Sequence, residues 1–304
     1  MGQQVLNAIS IGSIYALFAV GYTLVFGVLD VLNLAHSAVF MLGAVIAYSL
    51  VVIHGMPFFV AAPLAVLASG VLGLLIEFVA LRPLRRRGAP PISALISTIG
   101  LALVFVAIVE QARTGTAFAW LWHEGANSAR FPTNVMPNPT WHVAGLTIEG
   151  NRMAIVAVTI ILVLVLGYVM RYTQIGRALR AVAENPKAAL LLGIQVDRIF
   201  ATTLFISSAL GGLAGILFAI ATSNIDPYIG RDQVELKGLA VIVLGGMGSI
   251  PGAVAGGYLL GLIEVFAFIR FGSTVEAGVA FLALFLMLVI RPQGLFGAKL
   301  RERL

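Results

Sequence analysis

Long apolar stretches of the sequence contain the ionisable side chains of His36, Glu77 and Glu264. Ionisable groups at membrane depth are candidates for proton relays or for substrate contact. Glu77, however, lies near Arg82 and Glu264 lies near Arg270. Snorkelling or a local ion pair therefore accounts for both acids, and the pattern does not predict a proton relay. His36 has no acid or serine placed beside it as a catalytic pair, so an intramembrane enzyme is disfavoured.

Metal and nucleotide chemistry are equally poorly supported. The chain has no cysteine, and its four histidines do not pair at the spacing of helical metal ligands. It also lacks the G-x4-G-K-[ST] loop with which most ATPases bind phosphate. The sequence therefore predicts no catalytic residue, no metal ligand and no cofactor of its own, and any ATP must be bound by another protein.

The elements that must position these side chains are membrane helices. Of the 304 residues, 60% are hydrophobic and only 11% are charged, with a mean hydropathy of +1.02. A soluble domain carries roughly 25% charged residues, so lipid must solvate this surface. The predicted fold is an all-α, polytopic transmembrane bundle of about eight to nine apolar segments, some of them short or broken. The predicted segments are 5–29, 35–53, 59–81, 92–112, 153–171, 199–221, 236–248, 250–268 and 272–290.

Basic residues set the orientation of these segments. Thirteen of the 19 Lys and Arg residues lie in three short stretches, 82–87, 171–198 and the tail from 291. Because Lys and Arg collect on the cytoplasmic side of membrane proteins, this clustering argues against a nucleic-acid partner. We predict one transmembrane domain over 1–304, with the N-terminus outside. The loop 113–152 is predicted to be external, and 82–88, 172–198 and 291–304 cytoplasmic.

Two small or polar interruptions break the apolar pattern. One holds Asn33, His36 and Ser37, and the other holds Gly245, Gly246, Gly248 and Ser249. Backbone released from a helix at membrane depth must be buried in protein or face a water-filled path, so both are candidate pore-lining turns. For the first, a plain turn in which Asp30 and Asn33 cap the next helix is the alternative. Each break precedes a helix of small residues, which suggests an internal repeat.

Several small-x3-small patterns occur in the apolar segments, such as Gly211-x3-Gly215, Gly252-x3-Gly256 and Gly257-x3-Gly261. Such patterns let helix backbones approach closely. They are explained either by packing within the chain or by a dimer interface.

The loop between 177 and 197 contains a helix signal of its own. Asn185-Pro186 suits a helix start, with Pro at the first helical position, and Gly193 suits its end. The short apolar helix between them either fits a groove on a partner protein or rests on lipid headgroups. The residues predicted to make this contact are Arg180, Glu184, Asn185, Pro186, Lys187, Ala188, Ala189 and Gly193.

In combination, these motifs resemble the branched-chain amino acid ABC transporter permeases of the LivH type. The resemblance rests on Gly12–Leu17, Gly21–Gly27, Asn33–His36 and Met41–Ala44, on Arg180–Ala189, and on Gly245–Ser249 and Arg291–Gly297. It spans essentially the whole chain. Ser37 and Asn185 depart from the expected pattern, where glycine and an acid are more usual, so the solute is not fixed; relatives serve urea, amides or aromatic acids.

The resemblance implies a multi-pass protein of the bacterial inner membrane with a defined set of partners. These are a second permease of the LivM type, two cytoplasmic ATPases that contact the 177–197 loop, and a periplasmic solute-binding protein. The two breaks are then expected near the route between the permeases. A secondary transporter or channel acting alone is the alternative, although it leaves the loop helix without a purpose.

Overall fold

The computed structural model describes residues 2–115, 118, 120–122, 128–132, 135–143, 145–291 and 293–297. Position 292 and positions 298–304 of the predicted tail therefore lie outside the described residues. The helices are α1 (Gly2–Leu29), α2 (Ala35–Tyr48), α3 (Phe58–Leu75), α4 (Arg82–Arg86), α5 (Pro91–Arg113), α6 (Gly150–Tyr172), α7 (Gln174–Glu184), α8 (Pro186–Leu191), α9 (Val196–Thr222), α10 (Leu236–Gly245), α11 (Ile250–Phe271) and α12 (Ser273–Ile290).

Three π-helical segments extend these helices. They are Ser49–Ile53 after α2, Ile76–Leu81 after α3, and Ile229–Glu235 immediately before α10. A two-stranded antiparallel hairpin, β1 (Thr140–Val143) and β2 (Leu146–Glu149), precedes α6. Within the described residues, seven helical stretches are long and apolar enough to cross a membrane. The predicted polytopic helical bundle is thus confirmed, while the hairpin and the π-helices were not predicted.

Several helices begin three residues earlier than the apolar pattern indicates. α1 begins at Gly2, α6 at Gly150 and α9 at Val196, rather than at 5, 153 and 199. Their first turns contain polar residues such as Gln3, Asn151 and Asp197. A first helical turn accepts polar side chains, because its free backbone N–H groups need polar partners, such as Asn138 Oδ1 for the amide of Asn151. Hydropathy alone therefore places the helix start too late.

The bundle is organised around α1, α2 and α9, which are buried along most of their lengths. α2 crosses α9 so closely that a Cβ at Gly43 would overlap the backbone of Gly212, and one at Gly215 would overlap the carbonyl of Phe40. α1 packs antiparallel to α11, with Gly257 against Ala16. Because lipid supplies no hydrophobic drive between helices, such close backbone packing is the main source of association.

The small-x3-small patterns serve this packing within the chain. Gly211 lies against the His36 ring, Gly256 against the carbonyl of Val241, and Gly261 against the backbone of α1. The intrachain alternative is therefore correct for these glycines. Exposed apolar faces lie on α3, α5, α6, α12 and the end of α11, and include Leu67, Val71, Ile96, Leu103, Ile161, Leu164 and Phe285.

Contacts assign the loops to two ends of the bundle. At one end, Arg82 and Arg85 pair with Asp197, and Val28 at the end of α1 packs on Leu179 of α7. The segment 293–297 lies at the same end, because it bonds to the end of α10. At the other end, Gln3 bonds to Thr147 of β2. We call these the arginine-rich end and the hairpin end.

The grouping yields a prediction about orientation. A single cysteine introduced by Lys187→Cys should react only with a membrane-permeant maleimide, because we expect the arginine-rich end to face the cytoplasm. One introduced by Thr114→Cys, at the hairpin end, should react with an impermeant maleimide applied to intact cells. The cysteine-free chain supplies the background. The reverse labelling pattern would show that the bundle is inverted.

A second prediction concerns the α2–α9 crossing. Gly215→Ala should destabilise the protein by about 1–3 kcal/mol, since the added methyl group has no space beside Phe40. Gly100→Ala on α5 is the control, because no atom lies within 4 Å of a Cβ built there. It should be neutral or stabilising by up to about 1 kcal/mol. Thermal unfolding in detergent compares the two, and equal stabilities would show that this contact is not limiting.

Candidate functional site

The first predicted break is a buried polar turn next to α1 and α9. Asp30 is exposed, with a φ of 55° in the left-handed region, and it ends α1. Asn33, His36 and Ser37 are all buried. α2 begins without a side-chain cap, so the expectation that Asp30 and Asn33 cap this helix is wrong. Instead, the amide N–H of Leu34 donates to Thr98 Oγ1 at 3.3 Å, which fixes the turn against α5.

His36 occupies a slot made by two glycines. Its ring lies against Gly21 of α1 and Gly211 of α9, and its Nε2 is 3.2 Å from the carbonyl oxygen of Phe18. Phe18 also stacks beside it, with ring centroids 4.7 Å apart. Through these contacts, His36 of α2 links its helix to α1 and α9. They match the interpretation that a lone histidine in an apolar segment is a hydrogen-bonded structural residue.

Ser37 connects α2 to the π-helix Ile229–Glu235. Its hydroxyl lies 3.0 Å from the carbonyl of Leu34 and 3.1 Å from Glu235 Oε2. The side-chain N and O of Asn33 and the hydroxyl of Tyr22 have no hydrogen-bond partner in the described part of the chain. This cluster therefore places buried polar atoms between α1, α2 and the π-helix that precedes α10. The role of Asn33, His36 and Ser37 in a translocation path stays a prediction.

The second break closes the arginine-rich end of α10. Gly246 and Gly248 have φ angles of 101° and 83°, and Ser249 Oγ caps α11 by accepting from the Gly252 amide at 3.2 Å. The amides of Leu295 and Phe296 donate to the carbonyls of Leu244 and Gly245, at 2.8 and 2.9 Å. The backbone groups that the break releases are thus bonded to the C-terminal segment.

Gly245 and Gly246 are buried there, whereas Gly248 is exposed near Gly27 of α1. The neighbours of this break are therefore different from those of the Asn33–Ser37 turn, which contacts the π-helix. Each break still leads into a helix, α2 or α11, that starts nearer the arginine-rich end. The suggested internal repeat stays a prediction.

A large cavity that the sequence reasoning missed opens at the hairpin end. It has a volume of about 640 Å³ and lies between α1, α6, α9, α10 and α11. This volume falls within the range of small-molecule sites, about 300–1,000 Å³. Its mouth is polar, with Asn7, Glu149 and Arg152, and its walls include Ile14, Ile155 and Phe218.

The cavity is lined by a buried ion pair, Lys237 of α10 with Glu264 of α11. Lys237 Nζ also lies 3.1 Å from the hydroxyl of Tyr15. Only 16% of the lysine side chain and 4% of the glutamate side chain are exposed. The expected local pairing of Glu264 with Arg270 is therefore wrong, because its partner comes from a separate helix. The sequence feature that could have indicated this ion pair is Lys237, a single cation within the apolar segment 236–248.

The short helix predicted after Asn185-Pro186 is present as α8. Asn185 Oδ1 accepts hydrogen bonds from the amides of Lys187 and Ala188, both at 3.0 Å, and Pro186 is the first helical residue. Gly193, with a φ of 82°, turns the chain toward α9. The prediction of a short helix in this loop, including its start at Asn185-Pro186 and its end at Gly193, is therefore confirmed.

Ala189 does not lie where the coupling interpretation needs it. It is 2% exposed and belongs to an apolar cluster that also contains Val28, Val182 and Phe200. Its assignment to a partner-facing surface is wrong, because the inward face of α8 is used to attach the loop to α1 and α9. The three leucines that follow point outward. We call them the leucine surface: Leu190, Leu191 and Leu192, which are 63, 88 and 80% exposed.

An arginine network fixes this loop to the bundle. Asp197, just after α8, accepts from Arg82 and Arg85 at 2.9 Å and from Arg86 at 3.3 Å. Arg85 also pairs at 2.6 Å with the fully buried Glu77. The local ion pair expected for Glu77 is therefore present, but its partner is Arg85 rather than Arg82.

Comparisons with known proteins cover nearly the whole chain. The family profile described as "Branched-chain amino acid transport system / permease component" matches residues 4–290. The chain belongs to this family. The permease is 34% identical to the high-affinity branched-chain amino acid transport system permease protein LivH of Escherichia coli (strain K12), over 97% of this chain and 95% of that protein. It is 35% identical to the Pseudomonas aeruginosa permease BraD, with the same coverage.

The fold of the permease is also found in a solved structure. The chain in the structure titled "PsaBC from Streptococcus pneumoniae in complex with Fab" aligns with a TM-score of 0.52 at 12% identity. The alignment covers 96% of the permease and 92% of that chain. At this identity the likeness shows a shared fold only.

The arginine network gives a prediction about stability. Arg85→Ala should leave the Glu77 carboxylate buried without its partner and cost the permease about 3–5 kcal/mol. Arg86→Ala is the matched control, since Arg86 is 65% exposed and contributes one long contact to Asp197. It should cost at most about 1 kcal/mol. Denaturation of the purified permease measures both, and equal losses would show that Glu77 does not depend on Arg85.

Proposed function

We propose that the permease is one of two membrane-spanning subunits of an ABC importer for branched-chain amino acids in a bacterial inner membrane. Its proposed partners are a second permease of the LivM type, two cytoplasmic ATPase subunits and a periplasmic solute-binding protein. The substrate class is carried over from the names of the LivH and BraD relatives. The permease itself does no chemistry, and ATP is bound by its partners.

The leucine surface is the observation that carries this proposal. Three adjacent, largely exposed leucines stand at the arginine-rich end, on a helix whose other face packs against α7 and α9. Exposed apolar clusters of this kind mark interaction sites. In a transporter that works alone, such a surface could only rest on lipid headgroups, whereas a subunit driven by a soluble ATPase requires a docking point on that side.

The anchoring explains how docking would drive transport. A partner that moves α8 also moves Val28 of α1 and Phe200 of α9, since all three pack in one apolar cluster. Differential contacts of the partner in its two states then shift the bundle between inward-open and outward-open conformations. The ATPase-contacting set proposed from the sequence stays a proposal for its exposed members, which are Arg180, Glu184, Asn185, Pro186, Lys187, Ala188 and Gly193. Ala189 supports the loop from within.

The test is a charge in the leucine surface. Leu191→Asp should leave the permease in the membrane, because this side chain is 88% exposed, but it should abolish association with the ATPase. Burying an uncompensated charge in an apolar contact costs several kcal/mol, which is a loss of about a hundredfold or more in affinity. Co-purification of the ATPase and uptake of labelled leucine measure the effect.

Gln174→Asp is the matched control for this test. It places the same charge at the exposed first residue of α7, where a helix N-terminus accepts an acid. We expect it to keep ATPase association and uptake. Normal uptake by Leu191→Asp at normal abundance would rule out the leucine surface as the coupling contact.

A further inference from the structure

The cavity at the hairpin end has two features that together are complementary to one class of small molecule. It contains a cation and an anion side by side, Lys237 and Glu264, and part of its wall is aliphatic or aromatic. An α-amino acid carries an ammonium and a carboxylate on adjacent atoms, followed by its side chain. The charges of the cavity therefore complement both charges of such a molecule.

We propose that this cavity is a binding site for zwitterionic α-amino acids with aliphatic side chains, and that Lys237 and Glu264 exchange their mutual contact for the substrate. Lys237 takes the α-carboxylate and Glu264 takes the α-ammonium. The proposal rests on the proposed function and adds to it a site and a recognition chemistry.

Burial makes the pair suited to this exchange. Both groups are largely withdrawn from solvent, and such pairs contribute little net stability because desolvation offsets their attraction. A zwitterion that enters restores a partner to each charge, so the exchange leaves neither charge unpaired. Both charged side chains therefore have a partner of opposite charge whether the site is empty or occupied. Weak net binding follows, as transport requires, because the substrate must leave again.

The walls and the mouth complete the site. Ile11, Ile14, Ile155, Val265 and Phe268 supply apolar surface for the side chain of the substrate. At the mouth, Glu149 and Arg152 pair with each other at 2.9 Å, and Asn138 accepts from the amide of Asn151 at 3.0 Å. These polar groups keep the entrance hydrated at the end of the bundle that we predict to face the outside.

The cysteine-free chain allows a direct protection test. Ala221→Cys places a reporter on an exposed position that lines the cavity, and Thr114→Cys places one at the same end outside it. Both are labelled with an impermeant maleimide in membranes from cells that express the permease with its partners. The probes are leucine, leucinamide, which lacks the carboxylate charge, and 4-methylpentanoate, which lacks the ammonium group.

We expect leucine to slow labelling at Ala221→Cys several-fold and to leave Thr114→Cys unaffected. Leucinamide and 4-methylpentanoate should protect much less, because each leaves one member of the pair uncompensated. Lys237→Gln should remove protection by leucine, whereas Lys237→Arg, which keeps the charge, should retain it. Unchanged labelling at Thr114→Cys in each background shows that the bundle is intact.

Three results would overturn the proposal: no protection by leucine, equal protection by all three probes, or protection that persists in Lys237→Gln. Uptake of labelled leucine by the same cells tests the proposed function separately. Uptake without protection would reject this binding site and leave the transport function in place. Protection without uptake would support the binding site and reject the transport function.

Discussion

Backbone contact between α2 and α9, and between α1 and α11, is the constraint on which the rest of the structure depends. Lipid supplies no hydrophobic drive that brings these helices together, so their association depends mainly on places where glycine lets main chains touch. Gly43 and Gly212 allow the crossing, and Gly21 and Gly211 make the slot that holds His36. Larger residues at these positions would separate the helices, and both the buried polar turn and the cavity would lose their walls.

Sequence patterns were sufficient for the features that depend on neighbouring residues. The apolar segments, the charge asymmetry and the Asn185-Pro186 cap each follow from local chemistry, and the structure contains the corresponding helices and cap. The π-helix Ile229–Glu235 could not be predicted from neighbouring residues. Its geometry depends on contacts with α2, such as that between Ser37 and Glu235, which are almost 200 positions apart in the chain.

The same distinction explains the errors at the candidate sites. Glu264 was assigned to Arg270 because the two are close in sequence, yet its partner Lys237 comes from another helix. Ala189 was assigned to an outward face because α8 is too short for its apolar pattern to show which side is covered. In both cases the deciding quantity is the three-dimensional direction of a side chain. The sequence identified the polar and apolar residues of interest, whereas the residues that they contact could be assigned only from the three-dimensional structure.

The anchoring of the loop to α1 and α9 has a mechanical consequence. These two helices are continuous rods of 28 and 27 residues, each about 40 Å long, and neither contains a proline. One end of each rod touches α8 or its cluster, and the other end, at Ser10 to Tyr15 and at Phe218 to Thr222, forms part of the cavity wall. A displacement applied at α8 therefore has a direct helical route to the cavity wall on the far side of the bundle.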